Sequence, residues 1–293
     1  MYDPFSAGPF GVATREFELR DEARGRVFPC EVWRPEGAGE GSPLVVYSHP
    51  ALFHRRAALY LCTHLASHGY TVAAMDHSEV VVPELGRRAE ETREERAARF
   101  DGIIGSRVPD VRLLLEAFPA AAPVGVVGHS LGGWTALAAP DVEPRVEAVV
   151  ALAPGGASER KPGILPLTLD FRWPREVPAL VIAADGDTAL PLSGMYEIYE
   201  RIPGTKQMAV LARADHAHFL DHPERQHEAI RTAPLPPELA GMQKEMRPIS
   251  ELCSGEEAHR FTRGLTLCHF DAFLREVGLA REMWDGLGVT AKL

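Results

Sequence analysis

An α/β architecture is predicted, with a mostly parallel central sheet, helices on both of its faces and an antiparallel hairpin at its start. Three observations predict it. Short runs rich in Val and Ala, apolar on both faces, alternate with stretches of helical period, as buried parallel strands joined by crossover helices must. Ahead of them, two strand-like segments flank the polar turn DEARGR. Finally, no flexible linker divides the 293 residues, so one domain, residues 1–293, fits better than two.

The hairpin strands run from Val12 to Leu19 and from Val27 to Trp33. After a Gly-rich turn, Glu36 to Ser42, the central strands follow in order: PLVVYSH (Pro43 to His49), TVAAMDH (Thr71 to His77), VGVVGHS (Val124 to Ser130), VEAVVALAP (Val146 to Pro154), PALVIAADGD (Pro178 to Asp187) and MAVLARADH (Met208 to His216). Helical stretches separate them at Ala57 to His68, Val108 to Phe118, Leu131 to Ala139 and Leu192 to Arg201. A last helix is expected from His259 to Val277, with Phe261, Leu265, Phe270, Phe273 and Leu274 facing the core.

Two segments break the alternation. The run RRAEETREERAARFD has opposite charges three and four residues apart, which reads as a solvated helix, with a lid or partner surface as the alternative. Asp221 to Glu257 is polar and rich in Pro, a long excursion of the kind that covers a site. Residues 79–105 and 221–257 are therefore candidate cover segments.

Composition narrows the partners. A formal charge of −10 argues against nucleic acid, which requires concentrated Lys and Arg, and favours a neutral or weakly charged small molecule. Met1 to Cys30 shows no signal-peptide pattern and no later run is long and apolar enough to span a bilayer, so a cytoplasmic protein without stable membrane insertion is expected. The four cysteines, Cys30, Cys62, Cys253 and Cys268, lack zinc-ligand spacing and read most simply as buried thiols. Nothing in the sequence sets an oligomeric state.

The segment VGVVGHSLGGWTAL is the most informative. Gly128, Ser130 and Gly132 form G-x-S-x-G between an apolar strand and a helix. That context demands a sharp strand-to-helix turn, and the glycines let neighbouring backbone approach it. Ser130 is thereby held at the carboxyl edge of the sheet as a candidate nucleophile, and the Leu131 N–H at the helix start can receive a developing negative charge. A serine hydroxyl is a poor nucleophile at neutral pH and needs a base, in the chain order Ser, acid, His. The loops after the last two strands supply candidates: Asp185 and Asp187 in DGDTALP, then His216 and His218 in ADHAHFLD. No H-E-x-x-H spacing is present, so neither metal nor cofactor is expected.

On the segments VVYSHPALFHRR, LASHGYTVAAMDH, GHSLGG, DGDTALP and DHAHFLD, the chain from about Pro43 to Leu220 resembles the α/β-hydrolase superfamily. The resemblance is to its serine-dependent branch, which includes dienelactone-hydrolase-like proteins, platelet-activating-factor acetylhydrolases and cutinase-like polyesterases. It implies Asp187 as the acid, since it precedes a short run ending in Pro191, and His216 as the base, with His218 as alternative. It also implies that the loop after Pro43 to His49 supplies the second oxyanion donor: Ala51, or else Leu52. Relatives have His-Gly where this chain has His49 and Pro50, and proline has no N–H and restricts its neighbour, so the loop's shape is open. Phe53 and Trp134 are candidate substrate contacts, Trp134 reading also as packing. His77 reads as a structural strand-end residue, His222 and His227 as surface residues, and Asp185 as a solvated turn residue. The activity implied is hydrolysis of carboxylic esters of short to medium acyl chain or modest hydrophobicity. Acyl transfer or perhydrolysis by the same residues, and a non-catalytic binding protein on the same fold, are the alternatives.

Overall fold

The computed structural model describes residues 2–37, 41–86, 88, 90–234, 239–287 and 290–292, with side chains described as far as 287. Residues 87, 89 and 235–238 of the candidate cover segments therefore lie outside the described residues. Among the described residues, nine strands form one sheet: β1 (Val12–Asp21), β2 (Arg26–Pro35), β3 (Leu44–Ser48), β4 (Thr71–Met75), β5 (Val124–His129), β6 (Val146–Leu152), β7 (Ala179–Ala184), β8 (Lys206–Leu211) and β9 (Thr290–Lys292). Their spatial order is β1-β2-β4-β3-β5-β6-β7-β8-β9. The β1/β2 and β2/β4 pairs are antiparallel, and all others are parallel.

The strands read as apolar on both faces because both faces are covered. Leu44 and Val46 of β3 join a core layer with α3 (Arg93–Glu116), α4 (Leu131–Ala138) and α5 (Leu192–Arg201). Val45 and Tyr47 face the opposite layer, with α1 (Leu59–Ser67) and α8 (Gly255–Leu274). The period-two alternation of a pleated strand divides its side chains between the layers. The chain passes from β3 to β4 on one side and returns to β5 on the other, so the order reverses between β3 and β5. A crevice opens at such a switch point, beyond the carboxyl ends of the strands.

Differences from expectation cluster where polar residues are buried. The charged run from Arg93 onward and the stretch Val108 to Glu116 belong to one 24-residue helix, α3, opened by a capping box between Thr92 and Glu95 and continuing through Pro109. Its buried face carries Ser106, Arg107 and Asp110 beside Ile103, Val111 and Leu114, so its apolar period is broken in the sequence. Within 221–257 lie α6 (Pro223–Thr232) and α7 (Ala240–Glu245), where the sequence suggests only an excursion. The short α2 (Ser78–Val81), the C-terminal α9 (Gly278–Asp285) and β9 were likewise not anticipated. All four cysteines are free and buried. Among the described residues, no helix is long and apolar enough to cross a membrane.

Candidate active site

Ser130 follows β5 and precedes α4 with φ 59° and ψ −115°, a left-handed conformation costly to a residue with a side chain. The surrounding backbone holds it there. Its N–H donates to the Leu152 carbonyl at 2.8 Å, and its own carbonyl accepts from Trp134 at 3.0 Å and Gly155 at 3.2 Å. Close approach explains the flanking glycines: a Cβ on Gly132 would lie 2.6 Å from the Ser48 carbonyl carbon and 2.9 Å from the His49 carbonyl oxygen. One on Gly128 would lie 2.9 Å from the Ser48 oxygen. Both glycines thus set how near the start of α4 comes to the end of β3.

The acid and base loops meet at this elbow. Asp187, after β7, is buried, and its Oδ2 accepts from His216 Nδ1 at 2.6 Å. Its Oδ1 accepts from the N–H groups of Ala189 and Leu190, both at 2.8 Å, so the carboxylate is held on two sides. His216 opens a short 3-10 turn, His216–Phe219, after β8. Donation from Nδ1 to Asp187 leaves Nε2 as the ring's basic nitrogen. Its ring lies 4.5 Å from that of His129, the neighbour of Ser130 in the chain. Burial works to lower the pKa of His216, but the charge and hydrogen bond of Asp187, with Asp215 beyond, raise it above the ordinary value. No direct hydrogen bond joins the Ser130 hydroxyl to His216 among the described residues; such contacts commonly close when substrate binds.

The other residues of the histidine segment do something else. His218 is fully buried, with Nδ1 2.7 Å from Asp215 Oδ1 and Nε2 donating to the Cys253 carbonyl at 3.1 Å. His227 is also fully buried, a correction to its reading as a surface residue: Nδ1 donates to Asp215 Oδ2 and Nε2 to the Arg247 carbonyl at 2.9 Å. Its helix lies among polar neighbours in sequence, but its ring closes the far side of the Asp215 carboxylate. Every ring nitrogen of this pair is committed to a hydrogen bond. Asp185 is a half-buried turn residue whose Oδ1 accepts from the Arg213 N–H at 2.7 Å. His222 takes a left-handed conformation, φ 54°, before α6.

The loop after β3 supplies the remaining parts. Ala51 and Leu52 form a turn; Leu52 is 76% exposed and left-handed at φ 68°. From Ala51, Leu52 and Phe53 a cavity of about 1140 Å³ extends towards Leu85, Phe100 and Ile103. Phe53 is half-buried in its wall. Trp134, considered as a substrate contact, is buried and donates from Nε1 to the Thr168 carbonyl at 2.6 Å, so it packs beneath the segment after β6. His77 is buried at the end of β4, with Nε2 2.9 Å from Ser48 Oγ.

A serine in a strained turn between strand and helix, and a carboxylate-held imidazole in the loop after β8, are thus carried on an α/β-hydrolase fold. The fold is shown by its likeness to a solved ferulic acid esterase from Streptomyces cinnamoneus, with a TM-score of 0.64, 21% identity and 92% of each chain covered. A family described as platelet-activating factor acetylhydrolase, isoform II matches residues 26–85, from β2 to the turn after α2. A bis(hydroxyethyl) terephthalate hydrolase of Streptomyces coelicolor is 34% identical over 98 residues, 33% of this chain and 28% of that protein. A cutinase of Thermobifida alba is 26% identical over 161 residues, 55% of this chain and 48% of that protein. The chain therefore spans less than half the length of these curated relatives.

Proposed function

We propose that this protein hydrolyses carboxylic esters through an acyl-enzyme on Ser130. The observation that carries the reading is the His216 to Asp187 contact, with the His216 ring beside His129, the residue before a serine held in a strained turn. His216 Nε2 takes the hydroxyl proton as Ser130 Oγ attacks the ester carbonyl, and Asp187 holds the tautomer and stabilises the imidazolium. The N–H groups of Leu131 and Ala51 receive the oxyanion. As the carbonyl re-forms, the alcohol leaves with the proton held by His216. Water, deprotonated by the same imidazole, then releases the acid and restores the serine.

The substrates are esters of short to medium acyl chain or modest hydrophobicity. The cavity that opens from the loop carrying Ala51, with Leu52, Phe53 and Phe100 beside Glu91 and Arg99 in its wall, supports a substrate with an apolar portion and polar groups at its edge. The names of the similar proteins, a terephthalate ester hydrolase, a cutinase and a ferulic acid esterase, support an ester as substrate.

The test is hydrolysis of a p-nitrophenyl ester series from acetyl to palmitoyl by the protein and by Ser130→Ala, His216→Ala and His218→Ala. Ser130→Ala and His216→Ala should each lose about a millionfold in kcat, while folded His218→Ala should retain turnover. Undiminished activity in Ser130→Ala, or a protein inert to the whole series and to a serine-directed fluorophosphonate, refutes the reading.

A further inference from the structure

Pro50 leaves the donor loop without one backbone N–H, and two buried side chains compensate at its root. The His49 ring is fully buried. Its Nδ1 lies 2.8 Å from the Pro50 carbonyl oxygen, and its Nε2 lies 3.0 Å from the backbone nitrogen of His77. A carbonyl can only accept and a backbone N–H can only donate, so one tautomer satisfies both partners: Nδ1 carries the proton and Nε2 accepts. Burial, followed by the charge of Arg107, pushes the pKa of His49 well below the ordinary value, in keeping with a neutral ring. The carbonyl of His49 itself accepts from Arg107 Nη1 at 2.7 Å, and the guanidinium is paired with Glu79. Two consecutive carbonyls, those of His49 and Pro50, are thus clamped by buried donors.

The Pro50 carbonyl and the Ala51 N–H belong to one planar trans peptide, in which the two groups point in opposite directions. We propose that His49 is a positioning residue for the oxyanion hole: by gripping the Pro50 carbonyl, it turns the Ala51 N–H away from itself and towards the acyl carbonyl at Ser130. This rests on the ester-hydrolase reading above. The grip matters at Pro50 because the adjoining backbone is strained at Leu52, φ 68°, and a free peptide there can rotate. Among the described residues, the one other hydrogen bond to the Pro50 oxygen is a long one from the Phe53 N–H at 3.4 Å.

The experiment compares His49→Phe, which keeps a ring and loses the donor, with His49→Asn, whose amide nitrogen lies where Nδ1 does. Turnover of p-nitrophenyl butyrate, fluorophosphonate labelling of Ser130 and thermal midpoints are measured for both and for the unmutated protein. Misplacing one donor should lower kcat of His49→Phe about ten- to a hundredfold with KM nearly unchanged. His49→Asn should recover most of that loss while melting no higher than His49→Phe, which separates positioning from general stabilisation. Equal kcat losses in the two variants, or turnover by His49→Phe within about threefold of the unmutated protein, overturns the proposal. Should His49→Phe not fold, heteronuclear NMR of the unmutated protein reads the tautomer directly: an Nδ1–H ring is expected, and an Nε2–H ring overturns the proposal. A protein that is labelled and active yet indifferent to these changes refutes the positioning role alone. One that is neither labelled nor active on any ester refutes the activity, and the positioning role with it.

Discussion

Replacing Asp215 with asparagine should remove a pH dependence of stability that the buried histidines create. Both Nε2 atoms donate to carbonyls, and both Nδ1 atoms face the Asp215 carboxylate, so the favourable arrangement has two imidazolium rings around one carboxylate. Burial opposes the charge on His218, yet its bonds to Asp215 and to the Cys253 carbonyl lift its pKa from 6.5 to about 10. That of His227 is raised as well, against burial, by Asp215. A pKa raised on folding stabilises fully below the unfolded value, and its contribution fades as pH climbs to the folded value. For His218 the window runs from 6.5 to about 10, which corresponds to roughly 5 kcal/mol at the acid end, at about 1.4 kcal/mol per pH unit. When the ring loses its Nδ1 proton, that atom becomes an acceptor facing a carboxylate, and only the Asp215 N–H, 3.0 Å away, can serve it. Urea unfolding of the protein and of Asp215→Asn at several pH values measures the difference. It should be several kcal/mol near pH 6 and shrink by roughly 1 kcal/mol per pH unit towards pH 9. A difference that stays flat across that range would show both rings neutral and refute the reasoning.

Two further outcomes follow from the site. Because Asp187 and Asp215 outweigh burial and raise the pKa of His216, the acid limb of kcat/KM should fall above pH 6.5, since the base acts only when neutral. Asp187→Asn should move that limb to lower pH and reduce kcat by about 10⁴-fold; an unmoved limb in a pH-rate profile would exclude Asp187 as the partner. Gly132→Ala should lower both the thermal midpoint and, in whatever folds, kcat by about a hundredfold. Its Cβ meets backbone at Ser48 and His49, which no side-chain rotation can relieve. Unchanged calorimetry and turnover would mean that the two donor segments are not as tightly opposed as the structure has them.

What the sequence disclosed were features with local signatures. Strands buried on both faces read as apolar runs, and the elbow read as glycines at fixed distance from Ser130 because backbone crowding requires them. Chain order narrowed the acid to Asp185 or Asp187 and the base to His216 or His218, and the family resemblance singled out Asp187 and His216, which the structure joins by a hydrogen bond. Hidden features had partners distant in sequence and a polar character that composition assigns to the surface. His227 bonds a carboxylate 12 residues away, and Arg107 reaches a carbonyl 58 residues away. Neither distance leaves a period in the sequence, and α3 reads as two separate helices for the same reason: its inward face carries Ser106 and Arg107 where they join.

Those hidden contacts share a purpose. Loop backbone at the end of a sheet has N–H and C=O groups without strand partners, and in a buried setting they must be satisfied by side chains. Behind the loop after β3 this is done by His49 and Arg107, and behind His216 by His218 and His227. Directional bonds fix such a loop more finely than apolar contact does, as a reaction centre requires. The same network shows why residue types alone do not make a catalytic site. Ser48 Oγ lies 2.9 Å from His77 Nε2, whose Nδ1 lies 3.3 Å from Asp110, a serine, histidine and aspartate in the order of a catalytic relay. All three are buried, at 0%, 1% and 0% side-chain or residue exposure, and Arg107 Nη1 already occupies the serine oxygen at 3.3 Å. Ser130 differs in being partly open to solvent, lifted out of the strand by its left-handed backbone and set beside unengaged N–H groups at a helix start. Access and strain, rather than the identity of the three side chains, separate the serine proposed as nucleophile from the structural one.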